Sequence, residues 1–249
     1  MAVHDISING RKVQAQPGTT ILEAARENGI AIPTLCSHEA LAPYGACRLC
    51  IVEVTQNSSC RITTSCTTEI QQGMVIRTDT ARLRSIRTTL VQLLLEQAPG
   101  APVVRDLARD MGIPAGTTDP SGPASCIMCG LCVRTCAEIV GAHALSFARK
   151  GAKREVAVPF FRDSRECIGC GACAFVCPTG FIKMHDVLDC GQPERIMETW
   201  KTRLALQACV ADGLPFAPRA MLEHFVSRYP TPEGFLESCA QCRRQNKKT

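Results

Sequence analysis

Hydrophobic and polar residues alternate with a period of two near the start of the chain, which is typical of half-buried strands. Two such stretches, Ile6–Ile8 and Lys12–Gln14, flank Asn9-Gly10, a pair that favours a tight hairpin turn. The pattern then becomes helical over Ile21–Ala25, where Thr19 or Thr20 can act as the N-cap. The first thirty residues therefore predict a hairpin followed by a short helix.

Alternation returns at Ile51–Val54, and Met74–Ile76 is a further candidate strand. Together with the hairpin and the helix, these strands predict a small α+β domain over residues 1–78. Residues 80–98 then carry apolar side chains at helical spacing with arginines between them, and Val103–Met111 predicts a second short helix.

The rest of the chain divides at composition changes. Thr117–Pro123 is rich in Gly, Pro, Ser and Thr and predicts a loop that ends the two preceding helices. We therefore expect a helical linker over 79–119. A cysteine-rich domain is expected over 120–188. After it, Ile196–Val210 and Arg219–Arg228 predict helices, so we expect a small helical module over 189–249.

Cysteine is the residue whose abundance changes the picture. The chain has 17 cysteines among 249 residues. Met1–Asp5 lacks the basic and apolar regions of a secretory signal, and no apolar run is long enough for a membrane span. We therefore expect a cytosolic protein, in which thiols stay reduced and clustered cysteines bind metals rather than form disulfides. They fall into three groups, which lie within residues 36–66, 126–177 and 190–242 and are separated by stretches without cysteine.

The second cysteine group carries the most specific motif. Its two runs are Cys126-x2-Cys129-x2-Cys132-x3-Cys136 and Cys167-x2-Cys170-x2-Cys173-x3-Cys177-Pro178, an internal repeat of the bacterial ferredoxin run. The fourth cysteine of such a run binds the other cluster. We therefore predict one [4Fe–4S] cluster, A, on Cys126, Cys129, Cys132 and Cys177. We predict the second, B, on Cys167, Cys170, Cys173 and Cys136. Zinc sites show a different pattern, in which two pairs of ligands, each pair separated by a few residues, supply all four ligands of one ion.

The first group, Cys36-x10-Cys47-x2-Cys50-x15-Cys66, has three cysteines in one loop and a distant fourth. This pattern is typical of a plant-type [2Fe–2S] site, except that the gap between the first two cysteines is longer than the usual four residues. Cys60 competes with Cys66 as fourth ligand, but it follows a predicted loop tip and is expected to be a spare thiol. Gly45 precedes the crowded part of the loop, where a missing Cβ helps.

The third group leaves two interpretations open. Cys239-x2-Cys242 is one knuckle, and Cys209-x2-Asp212 resembles a second knuckle whose last cysteine is Asp. These four residues are candidate ligands of zinc or of a further [4Fe–4S] cluster, with Cys190 as an alternative ligand. Idle, buried cysteines are the other interpretation.

Net charge is less informative than it looks. The formal charge is +5, with cysteine counted as neutral. Three clusters with thiolate ligands, each with about two negative charges when oxidised, bring the total to about −1. The basic count therefore gives little support to nucleic-acid binding.

Several segments resemble a known family. They are Pro33–Cys36, Gly45–Cys50, Ser65–Thr68 with Gly73-Met74, and the paired ferredoxin runs, over about residues 1–185. They resemble the N-terminal region of the complex I large iron–sulfur subunit. They are also similar to the diaphorase iron–sulfur subunit of NAD-reducing hydrogenases, to NAD-dependent formate dehydrogenases and to iron-only hydrogenases. Residues 80–125 contain no His or Cys, so the family's histidine-ligated cluster is expected to be absent.

The resemblance implies a fold and a function. The fold is α+β: a β-grasp [2Fe–2S] domain, a helical linker and a two-[4Fe–4S] domain. The function is electron transfer between a partner that handles flavin and NAD(P)H and a catalytic partner of hydrogenase or formate dehydrogenase type. Electron-bifurcating complexes also fit, and we expect no catalytic residue in this chain. A Gly-rich nucleotide loop after a strand is missing, so NAD or flavin is expected on a partner.

Two alternatives remain. The size also fits the iron–sulfur subunit of a succinate dehydrogenase or fumarate reductase, although that family has a shorter first loop and lacks the adjacent double run. A multi-zinc nucleic-acid-binding protein is the other, but only 4% of residues are aromatic.

Overall fold

The structure, a computed structural model, describes residues 3–114, 119–162, 164–188 and 191–246. The chain divides into two compact units, residues 1–131 and 132–249, which are treated separately below. In the first unit the elements are β1 (His4–Ile8), β2 (Arg11–Ala15), α1 (Ile21–Glu27), β3 (Ile51–Gln56), β4 (Ser59–Thr64), β5 (Val75–Arg77), α2 (Ala81–Gln97) and α3 (Pro102–Asp110).

A five-stranded sheet forms the centre of the first unit. Its order is β2-β1-β5-β3-β4, and β1 and β5 are parallel while the other neighbours are antiparallel. Asn9 and Gly10 both have positive φ, as the predicted hairpin turn requires. Thr20 caps α1 in a reciprocal capping box with Glu23. The hairpin, α1, β3 and β5 are therefore confirmed.

The core of this unit lies between the sheet and α1. Ile8, Ile21, Val52 and Ile76 are fully buried there. A second apolar cluster forms where α2 and α3 pack together and includes Leu49, from the cysteine loop before β3. Packing thus fixes the loop that carries three of the predicted [2Fe–2S] ligands.

The elements of the second unit follow the first ferredoxin run. They are α4 (Leu131–Arg134), β6 (Ser146–Ala148), β7 (Glu155–Ala157), α5 (Ala172–Phe175), β8 (Met184–Val187), β9 (Glu194–Met197), β10 (Thr202–Ala208), β11 (Pro215–Pro218), α6 (Arg219–Arg228) and α7 (Ala240–Asn246). A π-helical turn, Thr135–Val140, continues from α4. Strands β6 and β7 form a hairpin, and β11-β10-β9-β8 is a four-stranded antiparallel sheet.

The helical prediction for the C-terminal module is partly wrong. Helix α6 matches the predicted Arg219–Arg228, but Ile196–Val210 contains parts of β9 and β10 joined by a 3₁₀ turn. Lys201 adopts the left-handed conformation at that turn, and Thr202 pairs with Met197 across it. Pairing of β9 with β8 and of β10 with β11 overrides the apolar spacing that favoured a helix, so one sheet spans the predicted boundary at residue 188.

Two further predictions concern loops. Cys60, expected after a loop tip, lies in β4, a strand that the sequence pattern did not reveal. Residues 119–123 of the predicted linker form no helix or strand, while 117 and 118 lie outside the described residues. None of the helices in the described ranges is long and apolar enough to cross a membrane.

Candidate metal centres

The first cysteine group converges at one end of the five-stranded sheet. Cys50 immediately precedes β3 and Cys66 follows β4, and the pairing of these strands brings the two thiols within 3.2 Å, Sγ to Sγ. Across the same loop, the backbone N–H of Cys47 donates to Cys36 Sγ at 3.4 Å. The structure thus brings the four predicted ligands into two close pairs.

Electrostatics links the two pairs. The hydrogen bond with Cys66 lowers the pKa of Cys50 to about 6. The same bond, burial and the charges of Cys50, Cys36 and Cys47 raise the pKa of Cys66. The hydrogen bond to Cys36, together with burial, also raises the pKa of Cys47. Four thiols so placed cannot all ionise without a cation among them, so the donor set fits an iron–sulfur cluster.

The surroundings of this loop are equally specific. Gly45 has φ of +72°, and a Cβ there would lie 3.2 Å from Thr67 Cγ2, so a side chain would be crowded as expected. Arg87 on α2 is buried and donates to the carbonyl oxygens of Leu49, Ile51 and Thr78 at 2.6–2.9 Å. Sequence reasoning missed Arg87, because an arginine at helical spacing looks like a solvated residue. Cys60 is exposed and belongs to neither pair.

In the second unit, one cavity gathers Cys136, Cys167, Cys170 and Cys173 among its lining residues. These are the four ligands predicted for cluster B, including the cysteine contributed by the other run. Burial raises the pKa of Cys136, of Cys167 and, to about 11, of Cys173. The Ala144 N–H donates to Cys136 Sγ at 3.3 Å and favours its thiolate. Four thiols around one cavity fit a cubane.

Trp200 lines the same cavity and is 4% exposed. Its Nε1 has no acceptor at bonding distance among the described residues. The N–H group faces Cys173 and opposes the effect of burial on the pKa of that thiol. A sulfur-rich group in the cavity would supply the missing acceptor, which is a second indication that the site fits a cluster.

Glycine and arginine shape the cluster B loop. Gly169 and Gly171 have positive φ, and a Cβ on Gly169 would lie 2.9 Å from Leu204 Cδ1 of β10. Arg195 of β9 donates to the Gly169 carbonyl at 3.0 Å and pairs with Asp186. The sheet of β8 to β11 therefore packs directly against the loop of the second ferredoxin run.

The four ligands predicted for cluster A are divided between the units. Cys126 and Cys129 lie in the first unit, where the Met128 N–H donates to Cys126 Sγ at 3.4 Å. Cys132 and Cys177 lie in the second unit and join its apolar cluster. Gly130, beside Cys129, has φ of +76°, a backbone conformation that favours glycine.

The third group is brought together as predicted from the two knuckles. The ligand atoms of Cys209, Asp212, Cys239 and Cys242 all lie within 4.8 Å of one another. Hydrogen bonds to Cys242, Leu214 and Cys209 lower the pKa of Asp212, and the bond to Asp212 raises that of Cys242. Cys190, the alternative ligand, lies outside the described residues.

Comparison with known families gives two matches. A model described as a 2Fe-2S iron-sulfur cluster binding domain matches residues 3–81. A model described as a 4Fe-4S dicluster domain matches residues 125–181. These models confirm the predicted cofactors, one [2Fe–2S] and two [4Fe–4S] clusters, and favour iron–sulfur binding over the zinc interpretation of these two groups.

Individual relatives extend the match. An NADH-quinone oxidoreductase subunit of Rhizobium meliloti is 31% identical over 78% of this chain and 25% of its own length. NADP-reducing hydrogenase subunit HndD of Solidesulfovibrio fructosivorans is 29% identical over 88% of this chain and 43% of its own. The chain thus spans less than half the length of these curated relatives.

A solved structure agrees with them. In the crystal structure of an NAD+-reducing [NiFe]-hydrogenase in the H2-reduced state, one chain is 30% identical, with a TM-score of 0.54. The match covers 64% of this chain and 76% of that chain.

Proposed function

We propose that this chain relays single electrons between two partner subunits. The chain belongs to the family of iron–sulfur electron-transfer subunits found in complex I-like enzymes and NAD(P)-linked hydrogenases. One partner handles flavin and NAD(P)H. The other is catalytic, of hydrogenase or formate dehydrogenase type. The observation that carries the proposal is the gathering of Cys136 with Cys167, Cys170 and Cys173 around one cavity, which supports cross-ligation between the two ferredoxin runs.

We assign the ligands as the spacing predicts. The [2Fe–2S] ligands are Cys36, Cys47, Cys50 and Cys66; those of cluster A are Cys126, Cys129, Cys132 and Cys177; those of cluster B are Cys167, Cys170, Cys173 and Cys136. The close pairs at the end of the first sheet support the first set, and the common cavity supports the third. For cluster A the support is the spacing of the runs and the match to the dicluster model.

When bound, such clusters supply one-electron redox chemistry. The residues of this chain position the sulfur ligands, exclude water and donate N–H groups to sulfur. Burial of Cys36, Cys50 and Cys66 keeps bulk solvent from the first site. The N–H groups of Cys47, Met128 and Ala144 donate to Sγ atoms and stabilise negative charge there.

Partner subunits complete this function. The sequence has no Gly-rich nucleotide-binding loop, so NAD(P)H and flavin belong on a partner. The catalytic centre likewise belongs on a partner, and we assign no catalytic residue to this chain. We propose the cytosol as the compartment, because a reducing environment keeps so many thiols available for metal.

The test uses the full chain, tagged and isolated anaerobically with whatever remains bound to it. We expect about ten irons and ten sulfides per chain, and EPR signals of one [2Fe–2S] and two [4Fe–4S] clusters after dithionite reduction. The isolated complex is then mixed with NADH, NADPH, hydrogen or formate in separate anaerobic cuvettes. We expect a pyridine nucleotide to reduce the clusters, and either hydrogen or formate to do so as well.

The matched control is a Cys50→Ser chain, which should lose the [2Fe–2S] signal and keep the cubane signals. Iron without sulfide would overturn the cluster assignment. Loaded clusters in an intact complex that neither nucleotide reduces would overturn the proposed partners, and reduction by succinate would favour the dehydrogenase alternative.

A further inference from the structure

The C-terminal cysteines form a compact donor set outside the electron-transfer motifs. Cys209 directly follows β10, Asp212 lies in the turn before β11, and Cys239 and Cys242 flank the start of α7. The Asp212 Oδ2 atom lies 3.1 Å from Cys242 Sγ and 3.8 Å from Cys239 Sγ. All four donor atoms lie within 4.8 Å of one another.

The backbone shapes both knuckles around these atoms. In the first, the Gly213 N–H donates to the Cys209 carbonyl at 2.8 Å, and Gly213 has φ of +71°. The Leu214 N–H donates to Asp212 Oδ1 at 3.0 Å, which leaves Oδ2 directed at the thiols of Cys239 and Cys242. The turn therefore orients one carboxylate oxygen as a donor.

The second knuckle is tied to the first through sulfur. The Cys239 N–H donates to Cys209 Sγ at 3.2 Å, and the Cys242 N–H donates to Cys239 Sγ at 3.4 Å. Such N–H groups stabilise thiolates, the form of cysteine that binds metal. Arg243 holds the loop from outside by donating to the carbonyls of Phe235 and Ser238.

The spacing of the donors favours one ion. Tetrahedral zinc with Zn–S of about 2.3 Å and Zn–O of about 2.0 Å places its ligand atoms roughly 3.5–3.8 Å apart. In a cubane each ligand binds a different iron at its own corner, so the ligand sulfurs are spread more widely. The mixed set of three thiolates and one carboxylate suits a borderline ion such as Zn²⁺ and disfavours Cu(I), which prefers sulfur alone.

The local fold has almost no apolar core of its own, although His224 and Arg228 of α6 hydrogen-bond to the Val140 carbonyl. Among residues 219–245, Cys242 is the single buried residue, and α6 buries none of its side chains. The Val210 N–H to Glu237 carbonyl bond, at 3.0 Å, is a further backbone link between this segment and the end of β10. Segments with so small an apolar core are commonly held by a metal or a disulfide.

We propose that Cys209, Asp212, Cys239 and Cys242 bind one structural Zn²⁺ ion, which fastens the segment after α6 to the β10–β11 turn. The proposal is independent of the electron relay, since none of these residues is among the twelve cysteines assigned to the three clusters. Binding closes all four coordination positions with protein atoms, so the ion has a structural role and takes no part in electron transfer.

Metal analysis of the full chain, isolated anaerobically, tests the proposal. We expect one zinc per chain besides the irons of the three clusters. A Cys239→Ser/Cys242→Ser chain should lose that zinc and keep its irons and its reduced EPR spectrum. The matched control is Cys60→Ser, which removes an exposed thiol outside every group and should leave zinc unchanged.

Two measurements guard against a double variant that fails to fold. Asp212→Cys supplies a fourth thiolate and should retain zinc, whereas Asp212→Ala should lose it to a chelator faster than the unaltered chain. Chain produced with Co²⁺ should show the visible absorption of tetrahedral cobalt bound to thiolates, and that absorption should disappear in Cys239→Ser/Cys242→Ser. Zinc retained in the double variant, one extra iron in place of zinc, or about fourteen irons per chain would each overturn the proposal.

Discussion

At the scale of single residues, the second cysteine group shows how spacing determines which thiols meet. Cys136 belongs to the first ferredoxin run in sequence, but in the structure it shares a cavity with Cys167, Cys170 and Cys173. The turn Thr135–Val140 carries it there, and Ala144 N–H fixes its sulfur. This placement of Cys136 supports its proposed role as the fourth ligand of cluster B.

Replacing Cys136 by Ala tests this exchange. We expect the EPR signal of the cluster on Cys167, Cys170 and Cys173 to be lost or converted to a three-iron signal, because one of its irons loses its thiolate. The cluster on Cys126, Cys129 and Cys132 should remain. Cys177→Ala is the matched control and should give the opposite result. Loss of the same cluster in both variants would contradict cross-ligation.

Trp200 is the second residue whose role is local. Its buried N–H has no acceptor at bonding distance among the described residues, and its proximity to Cys173 lowers the pKa of that thiol, against the larger effect of burial. Trp200→Phe keeps an aromatic ring and removes the donor, which should lower the midpoint potential of cluster B. A hydrogen bond worth about 1 kcal/mol corresponds to roughly 40 mV for one electron.

Redox titration followed by EPR measures that shift. The [2Fe–2S] centre in the same sample serves as the internal control, because Trp200 lies in the other unit and should leave its potential unchanged. An unaltered cluster B potential would show that the indole N–H does not act on the sulfur.

At the scale of elements, α2 supports the first site through one side chain. Arg87 satisfies three carbonyl oxygens, including those of Leu49 and Ile51 on either side of Cys50. Burial lowers the pKa of Arg87, but its neighbour Asp79 opposes that effect. The helix thus fixes the loop at the point where it enters β3.

Arg87→Met leaves three carbonyls without a donor and should destabilise the first unit by about 3 kcal/mol. We expect the visible absorption of the [2Fe–2S] centre to bleach at lower guanidinium concentration than in the unaltered chain. Arg84→Met is the control, since its exposed ion pair with Asp79 contributes less than about 1 kcal/mol. If both variants bleach at the same guanidinium concentration, Arg87 does not stabilise the loop that enters β3.

The sequence predicted elements where local signals decide the outcome. Asn9-Gly10 and Thr20 specify a hairpin and a helix start through their own backbone and side-chain chemistry. β4 escaped notice because Ser59–Thr64 is an edge strand of mostly polar residues. Ile196–Val210 forms strands instead of the predicted helix because β9 and β10 pair with β8 and β11, whose residues lie outside that segment.

The residues of the candidate sites divide in the same way, into those that a local motif marks and those that come from other elements. Cysteine spacing predicted which thiols lie close together in the first group, around the cavity and in the third group, because metal geometry constrains short stretches of chain. Arg87, Trp200 and Arg195 act on those groups from other elements, and no short motif marks them. The contacts of Trp200 and Arg195 with the second ferredoxin run arise because the sheet of β8 to β11 packs against that run.

At the scale of the whole molecule, the clusters change the charge of the chain. The formal charge of +5 and an isoelectric point of about 8.5 hold for the chain with neutral thiols. Twelve thiolates bound in three clusters contribute about six negative charges in the oxidised state, which brings the total to about −1. A structural zinc held by three thiolates and Asp212 would add one more negative charge.

Charge measurement therefore distinguishes the loaded chain from a basic nucleic-acid-binding protein. Anaerobic isoelectric focusing of the loaded chain should give a value below 7, and the unfolded chain without clusters should focus near its sequence value of about 8.5. On heparin the loaded chain should elute at low salt, since a chain with few net positive charges releases few counterions. A loaded chain that focuses above 8 and requires high salt for elution would contradict the cluster charges and would favour a polyanionic partner such as nucleic acid.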